Sequence, residues 1–170
     1  MVALESLLGY SSRAKLQPHS ETHMTFLTLT QANTIIAAAL SLARHLNLSP
    51  LAVAVLDAGG HLVAFQREDN AGFARFNIAF GKAWGSLGMG FGSRELAERA
   101  TKFPTFVTAL AAASQGRMVP SPGGVLIADS DKTILGAVGI SGDFGDKDEA
   151  CAIAGIEAAG FSAIPGLSNE

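Results

Sequence analysis

The chain has 170 residues, enough for one well-buried core and too few for two ordinary domains. Apolar residues make up 48% and charged residues only 16%, against roughly 25% charged in typical soluble domains. So little charge points to surface buried against other copies of the chain, that is, to a homo-oligomer, with a compact Ala/Gly-rich core as the alternative. The formal net charge of −3, with no basic run and no aromatics interleaved with Lys or Arg, argues against a nucleic-acid partner. Cys151 is the only cysteine, so no intrachain disulfide forms and no oxidising compartment is required. No run of roughly 18 apolar residues exists, which argues against a membrane span and fits a cytoplasmic protein.

Residues 1–26 read as an N-terminal extension, either a flexible native segment or one added in cloning with Met24 as the original start. Val2–Leu8 is apolar but short, is interrupted by Glu5 and has no basic region before it, so it does not read as a signal peptide. The domain proper runs over 27–163, and 164–170 forms a C-terminal tail.

The first helix is expected from an N-cap at Thr30, with apolar residues at Ala32, Ile35, Ile36, Ala39, Leu40, Ala43 and Leu46, and Pro50 beyond its end. Leu51–Leu56 and His61–Gln66 flank Asp57-Ala58-Gly59-Gly60 and predict a β-hairpin, because glycine supplies the positive φ that the reversal needs. Val125–Lys132 and Thr133–Ile140 repeat the design around Asp129, a weak internal echo.

Between the hairpins, Phe73, Phe76, Phe80, Ala83, Trp84 and Leu87 form an apolar helical stripe, and Gly81, Gly85 and Gly88 form a bare one suited to close packing or, alternatively, to a flat ligand lying on the backbone. Ser93 is the expected cap of a short helix through Ala100. Pro104 opens another to Ala113. Asp146-Lys147-Asp148-Glu149 has capping-box spacing and starts a final thin helix of Ala, Gly and Ile. Helices interleaved with hairpins predict an α+β fold on an antiparallel sheet.

Walker loops, nucleophile elbows and dinucleotide-binding glycine patterns are missing. His19 and His23 have helix-borne zinc spacing but lie in the extension, without the Glu of the zincin pattern. Asp57, Asp129, Asp143 and Asp146 read as turn residues, although a convergence at one end of the sheet is the alternative.

The ordered set of motifs is more specific than any one of them. Leu27-Thr-Leu-Thr-Gln-Ala32 opens the first helix, Val53-Ala-Val-Leu-Asp-Ala-Gly-Gly-His-Leu-Val-Ala-Phe65 leads into Gln66-Arg67-Glu68-Asp69, and Lys82-Ala83 lies in the middle helix. Gly123-Gly124-Val125, Ile134–Gly142, Asp148-Glu149 and Ala154-Gly155 follow. Over roughly residues 27–161 this resembles the GlcG/HbpS-type haem-binding (haem-degrading domain) family.

The resemblance implies a profilin-like three-layer α/β/α fold with a central antiparallel sheet, assembly into dimers or larger rings, and haem as cofactor, in a storage, sensing or slow-degradation role. It places candidate haem contacts at His45 (axial iron ligand), Arg67 and Lys82 (propionate partners) and Thr105 (oxygen ligand or polar contact), and assigns no catalytic residue. The alternatives are an enzyme or accessory protein acting on a small carbonyl or carboxylate metabolite, and a purely scaffolding subunit. The chain departs from the family pattern at Trp84-Gly85-Ser86, Ser93 and Val125-Leu126, near the expected pocket wall.

Overall fold

A computed structural model describes residues 26–167. The readings made for residues 1–25, including the histidine pair, therefore lie outside the described residues. The chain forms α1 (Leu29–His45), β1 (Ala52–Asp57), β2 (Leu62–Arg67), α2 (Arg75–Met89), α3 (Ser93–Lys102) and α4 (Pro104–Ala113). It continues through β3 (Gly124–Ala128), β4 (Ile134–Ser141), α5 (Gly145–Ala158) and β5 (Ser162–Ile164). The sheet has strand order β2-β1-β4-β3-β5, and every neighbouring pair is antiparallel. This is the expected α+β fold with a central antiparallel sheet.

Strand alternation builds two unlike faces. Val53, Val55, Val125, Ile127, Val138 and Ile140 point one way and meet Ile35, Ile36, Cys151 and Ile156 of α1 and α5 in the main core. The other face carries Ala54 opposite Gly139 and Gly124 opposite Gly139, with Leu56, Leu126 and Ala137 beside them. Those small residues let α2 approach unusually closely. A Cβ on Gly139 would collide with the Ala79 carbonyl, and one on Gly124 with the Lys82 carbonyl. The result is three layers: α1 and α5, the sheet, then α2 with α3 and α4 beyond it.

The two hairpin turns share one geometry. Asp57 Oδ1 accepts from the backbone N–H groups of Gly59 and His61, each at 2.9 Å, and Asp129 Oδ1 accepts from those of Asp131 and Thr133, each at 2.9 Å. The left-handed position falls on Gly60 (φ 78°) in the first turn and on Lys132 (φ 67°) in the second. Because β1 and β3 are both antiparallel to β4, they run parallel to each other. Asp57 and Asp129 thus lie at one end of the sheet, and Asp143 and Asp146, which follow β4, lie at the other. The four carboxylates do not converge.

Three expected caps differ. The N-cap of α1 is Thr28 rather than Thr30: its side chain accepts from Gln31 N at 3.2 Å, while Gln31 Oε1 accepts from Thr28 N at 2.9 Å. The reciprocal box outcompetes a lone Thr. Gly92, not Ser93, caps α3, because the Ser93 hydroxyl is taken by Ser121 O and Gly124 N. Phe144 precedes α5 without a side-chain cap, since Asp146 and Asp148 are committed to cations. β5 was not foreseen; it is short and gains its partner only from the edge of β3.

The bare strip of α2 is explained by packing. Gly81 receives the backbone of Arg117 and the side chain of Val119, and Gly85 receives Leu96 and Met118. No helix among the described residues is long and apolar enough to cross a membrane.

Candidate functional site

His45 is the last residue of α1 and is exposed. The helix ends in a Schellman motif: Leu48 N donates to Ala43 O at 3.0 Å and Asn47 N to Arg44 O at 3.2 Å, with Asn47 at φ 54°. Beside it, Glu68 clamps three elements. One carboxylate oxygen meets Arg44 Nε at 2.9 Å and the other accepts from Leu51 N at 2.7 Å. Around that clamp lies a groove of about 550 Å³ lined by Leu40, Arg44, Pro50, Arg67, Asp69 and their neighbours. Arg67 is on this wall. His45 is not, because it sits one residue, about 100°, around the helix from Arg44.

Lys82 lies elsewhere, inside the protein. Its Nζ donates to Ile140 O at 2.8 Å and to Asp148 Oδ2 at 2.8 Å, and both side chains are at most 3% exposed. Asp148 Oδ1 accepts from Asp143 N at 3.1 Å. Burial pushes the Lys82 amine down and the Asp148 carboxyl up, each opposed by the other's charge. Gly123 makes room for this contact: a Cβ there would stand 3.0 Å from Lys82 Nζ and 2.9 Å from Asp148 Cβ.

A second charged group adjoins it on α5. Arg94 Nε donates to Glu149 Oε1 at 2.8 Å, and its Nη2 donates to Asp146 Oδ1 at 2.7 Å. Glu149 is 7% exposed, its Oε2 has no hydrogen-bond partner, and burial holds its carboxyl above the usual range despite Arg94. The sequence reading missed Arg94 and the charge-pairing role of Asp148-Glu149. The Asp-Glu pair was visible as a motif, but its partners lie more than fifty residues away.

Thr105 is the second residue of α4 and is exposed. The structure thus brings Arg67 and His45 to one end of the molecule, buries Lys82 among α2, β4 and α5, and leaves Thr105 on an outer helix. No group of three or more His, Cys, Asp or Glu side chains among the described residues could hold a metal ion.

Comparison with known proteins decides the lineage. A sequence model for HbpS-like haem-degrading proteins matches residues 27–157. The chain belongs to the HbpS-like family. A crystal structure of a PduOC–haem complex superposes with TM-score 0.73 at 26% identity, over 81% of this chain and 98% of that one. HbpS matches with TM-score 0.67 at 27% identity, over 81% and 93%. The ORFY protein of Klebsiella pneumoniae, at 24% identity and TM-score 0.72 over 85% and 98%, supports the fold. No curated protein matches the chain significantly.

Proposed function

We propose that this HbpS-like protein is an oligomeric haem-binding protein, with His45 as axial ligand and Arg67 holding a propionate. The observation that carries the reading is His45 itself, an exposed imidazole with no hydrogen-bond partner among the described residues, at the end of the molecule where Arg67 lies. The PduOC–haem complex supports it, as a relative whose solved structure contains haem.

The donor set suits the group: haem needs an axial nitrogen, a cation for its propionates and an apolar surface for the ring. Bound haem would supply a redox-active iron, and the chain would supply its ligand and charge balance. Lys82 contributes indirectly in this reading, by holding α2 and α5 together through Asp148.

A single protomer offers little apolar wall near His45; Leu46, 42% exposed, is the nearest large apolar side chain in sequence. A second copy supplies the rest. Self-association is also supported by α4, in which Pro104, Phe106, Val107, Leu110 and four alanines form a helix with no buried residue. Phe103 and Phe106 are 60% and 53% exposed, and Thr105 lies on the same helix. Covering such a surface is a strong drive to associate.

Titration of the purified chain with hemin tests the site. The expected result is a saturable Soret shift that His45→Ala abolishes and Arg67→Gln weakens. An unchanged shift in His45→Ala overturns the assignment. Sedimentation of Phe106→Glu tests the assembly, with smaller species expected and an unaltered oligomer arguing against α4 as the contact.

A further inference from the structure

An arginine without an acidic partner faces an aromatic wall at the far end of α4. Phe65 of β2 meets Phe76 edge-on, with centroids 4.8 Å apart and planes at 77°, and Phe76 and Phe80 follow at 5.9 Å. Phe76 and Phe80 are one helical turn apart and both half-buried. Opposite them, the chain leaves α4 through a Schellman turn: Gly116 N donates to Ala111 O at 2.8 Å and Gln115 N to Ala112 O at 3.0 Å. Gln115 and Gly116 take φ 56° and 74°, which turns Arg117 back onto α2. The Arg117 backbone then seats in the notch left by Gly81, and Val119 N donates to Gly81 O at 3.3 Å.

Between wall and turn lies a cavity of about 410 Å³, lined by Phe76, Asn77, Phe80, Gln115, Gly116 and Arg117. The Arg117 guanidinium donates to Gln115 Oε1 at 3.1 Å and lies 5.5 Å from the Trp84 ring centre. Among the described residues no carboxylate pairs with it, as with Arg67 and Arg75, whereas Arg44 and Arg99 each have one and Arg94 has two.

We propose that this cavity binds a small planar aromatic carboxylate, its ring against Phe76 and Phe80 and its carboxylate on the Arg117 fork. Half-exposed phenyl faces favour a flat aromatic ring, which stacks offset or edge-on. A single guanidinium matches one planar carboxylate in bidentate geometry, and the aromatic wall beside it selects a ring-bearing acid. The Asn77 amide adds a polar contact at the rim, and the volume lies at the small end of ligand pockets. The site is separate from His45 and does not depend on haem.

The test uses the only tryptophan, Trp84, as an intrinsic reporter in the full haem-free chain. Benzoate is expected to change its emission saturably at up to millimolar concentration. Benzyl alcohol, and benzoate with Arg117→Gln, should each bind about tenfold or more weakly, as loss of a charge-assisted hydrogen bond implies. Cyclohexanecarboxylate, which keeps the charge and loses the flat ring, should fall between. Arg117 is exposed, so circular dichroism of the variant is expected to match the parent. The Asn77 side-chain amide provides a second readout by NMR. Equal benzoate affinity in Arg117→Gln, or no saturable response in both fluorescence and the Asn77 amide, overturns the proposal.

Discussion

Lys82, on one face of the sheet, and Asp148, in the helical layer on the other, form an ion pair at 2.8 Å with neither side chain more than 3% exposed. The pair passes beside Gly123 and Gly124 and joins α2 to α5, which otherwise sit on opposite sides of β3 and β4. Taking both charges out of water is costly, and the remaining donors and acceptors on Ile140 and Asp143 offset part of that cost.

This pairing makes single and double substitutions diverge. Lys82→Met or Asp148→Leu alone should lower the unfolding free energy by about 3–5 kcal/mol, because each leaves a buried charge without its partner. The double variant Lys82→Met/Asp148→Leu should recover most of the loss in urea titrations. A double variant no more stable than the weaker single one would show that the two sites are not coupled.

Close approach of α2 to the sheet predicts a steric limit at Gly139. Gly139→Ala places a methyl group against the Ala79 carbonyl, backbone against which there is no rotamer to yield. Overpacking of this kind costs typically about 1–3 kcal/mol or more, and the variant should show a lower thermal midpoint with broadened NMR lines from α2. Gly90→Ala, where nothing lies near the added methyl and only the positive φ is strained, should cost about 1 kcal/mol. Equal midpoints for the two would contradict the packing argument.

Asp57 carries a pH signature. Partial burial raises its carboxyl, but the N–H groups of His61 and Gly59 and the His61 side chain outweigh that and hold it below 3.8. A depressed carboxyl stabilises the fold fully above its unfolded value and loses the contribution as pH falls through its folded value. Asp57→Ala should therefore cost about 1 kcal/mol near neutrality, for two lost hydrogen bonds. The difference from the parent should shrink below pH 3.8. A gap that stays constant in acid would mean that the carboxylate charge is irrelevant.

Cys151 supplies a probe of opening. It is fully buried, and burial, with Asp148 adding to it, pushes the thiol up to about 11. Native protein at pH 8 should react with a disulfide reagent only at the rate of local or global unfolding, and denaturant should release one fast-reacting thiol per chain. Fast labelling in the native state would place Cys151 at a surface.

Local chemistry alone made the two hairpins legible. An Asp that accepts from the N–H groups two and four residues on specifies a turn within five residues, and alternating side chains on either side specify the strands. Pro104 at the start of α4 and the apolar period of α1 were readable for the same reason. The caps at Ser93 and Asp146 misled because a capping side chain is also a free donor or acceptor, and distant partners can claim it, whereas Thr30 lost to the local Thr28–Gln31 box two residues earlier.

From Val53 to Phe65, and again around Asp129, the amino-acid order by itself determined the elements and, through the succession of motifs, the family. Tertiary structure decided which polar groups are spent and which remain available. It buried the Lys82 amine against Asp148, 66 residues along the chain, and left the His45 imidazole exposed and Arg117 beside a cavity. The physical reason is range: a turn is set by bonds within a few residues, whereas the partner of a charge is set by where the whole sheet places it.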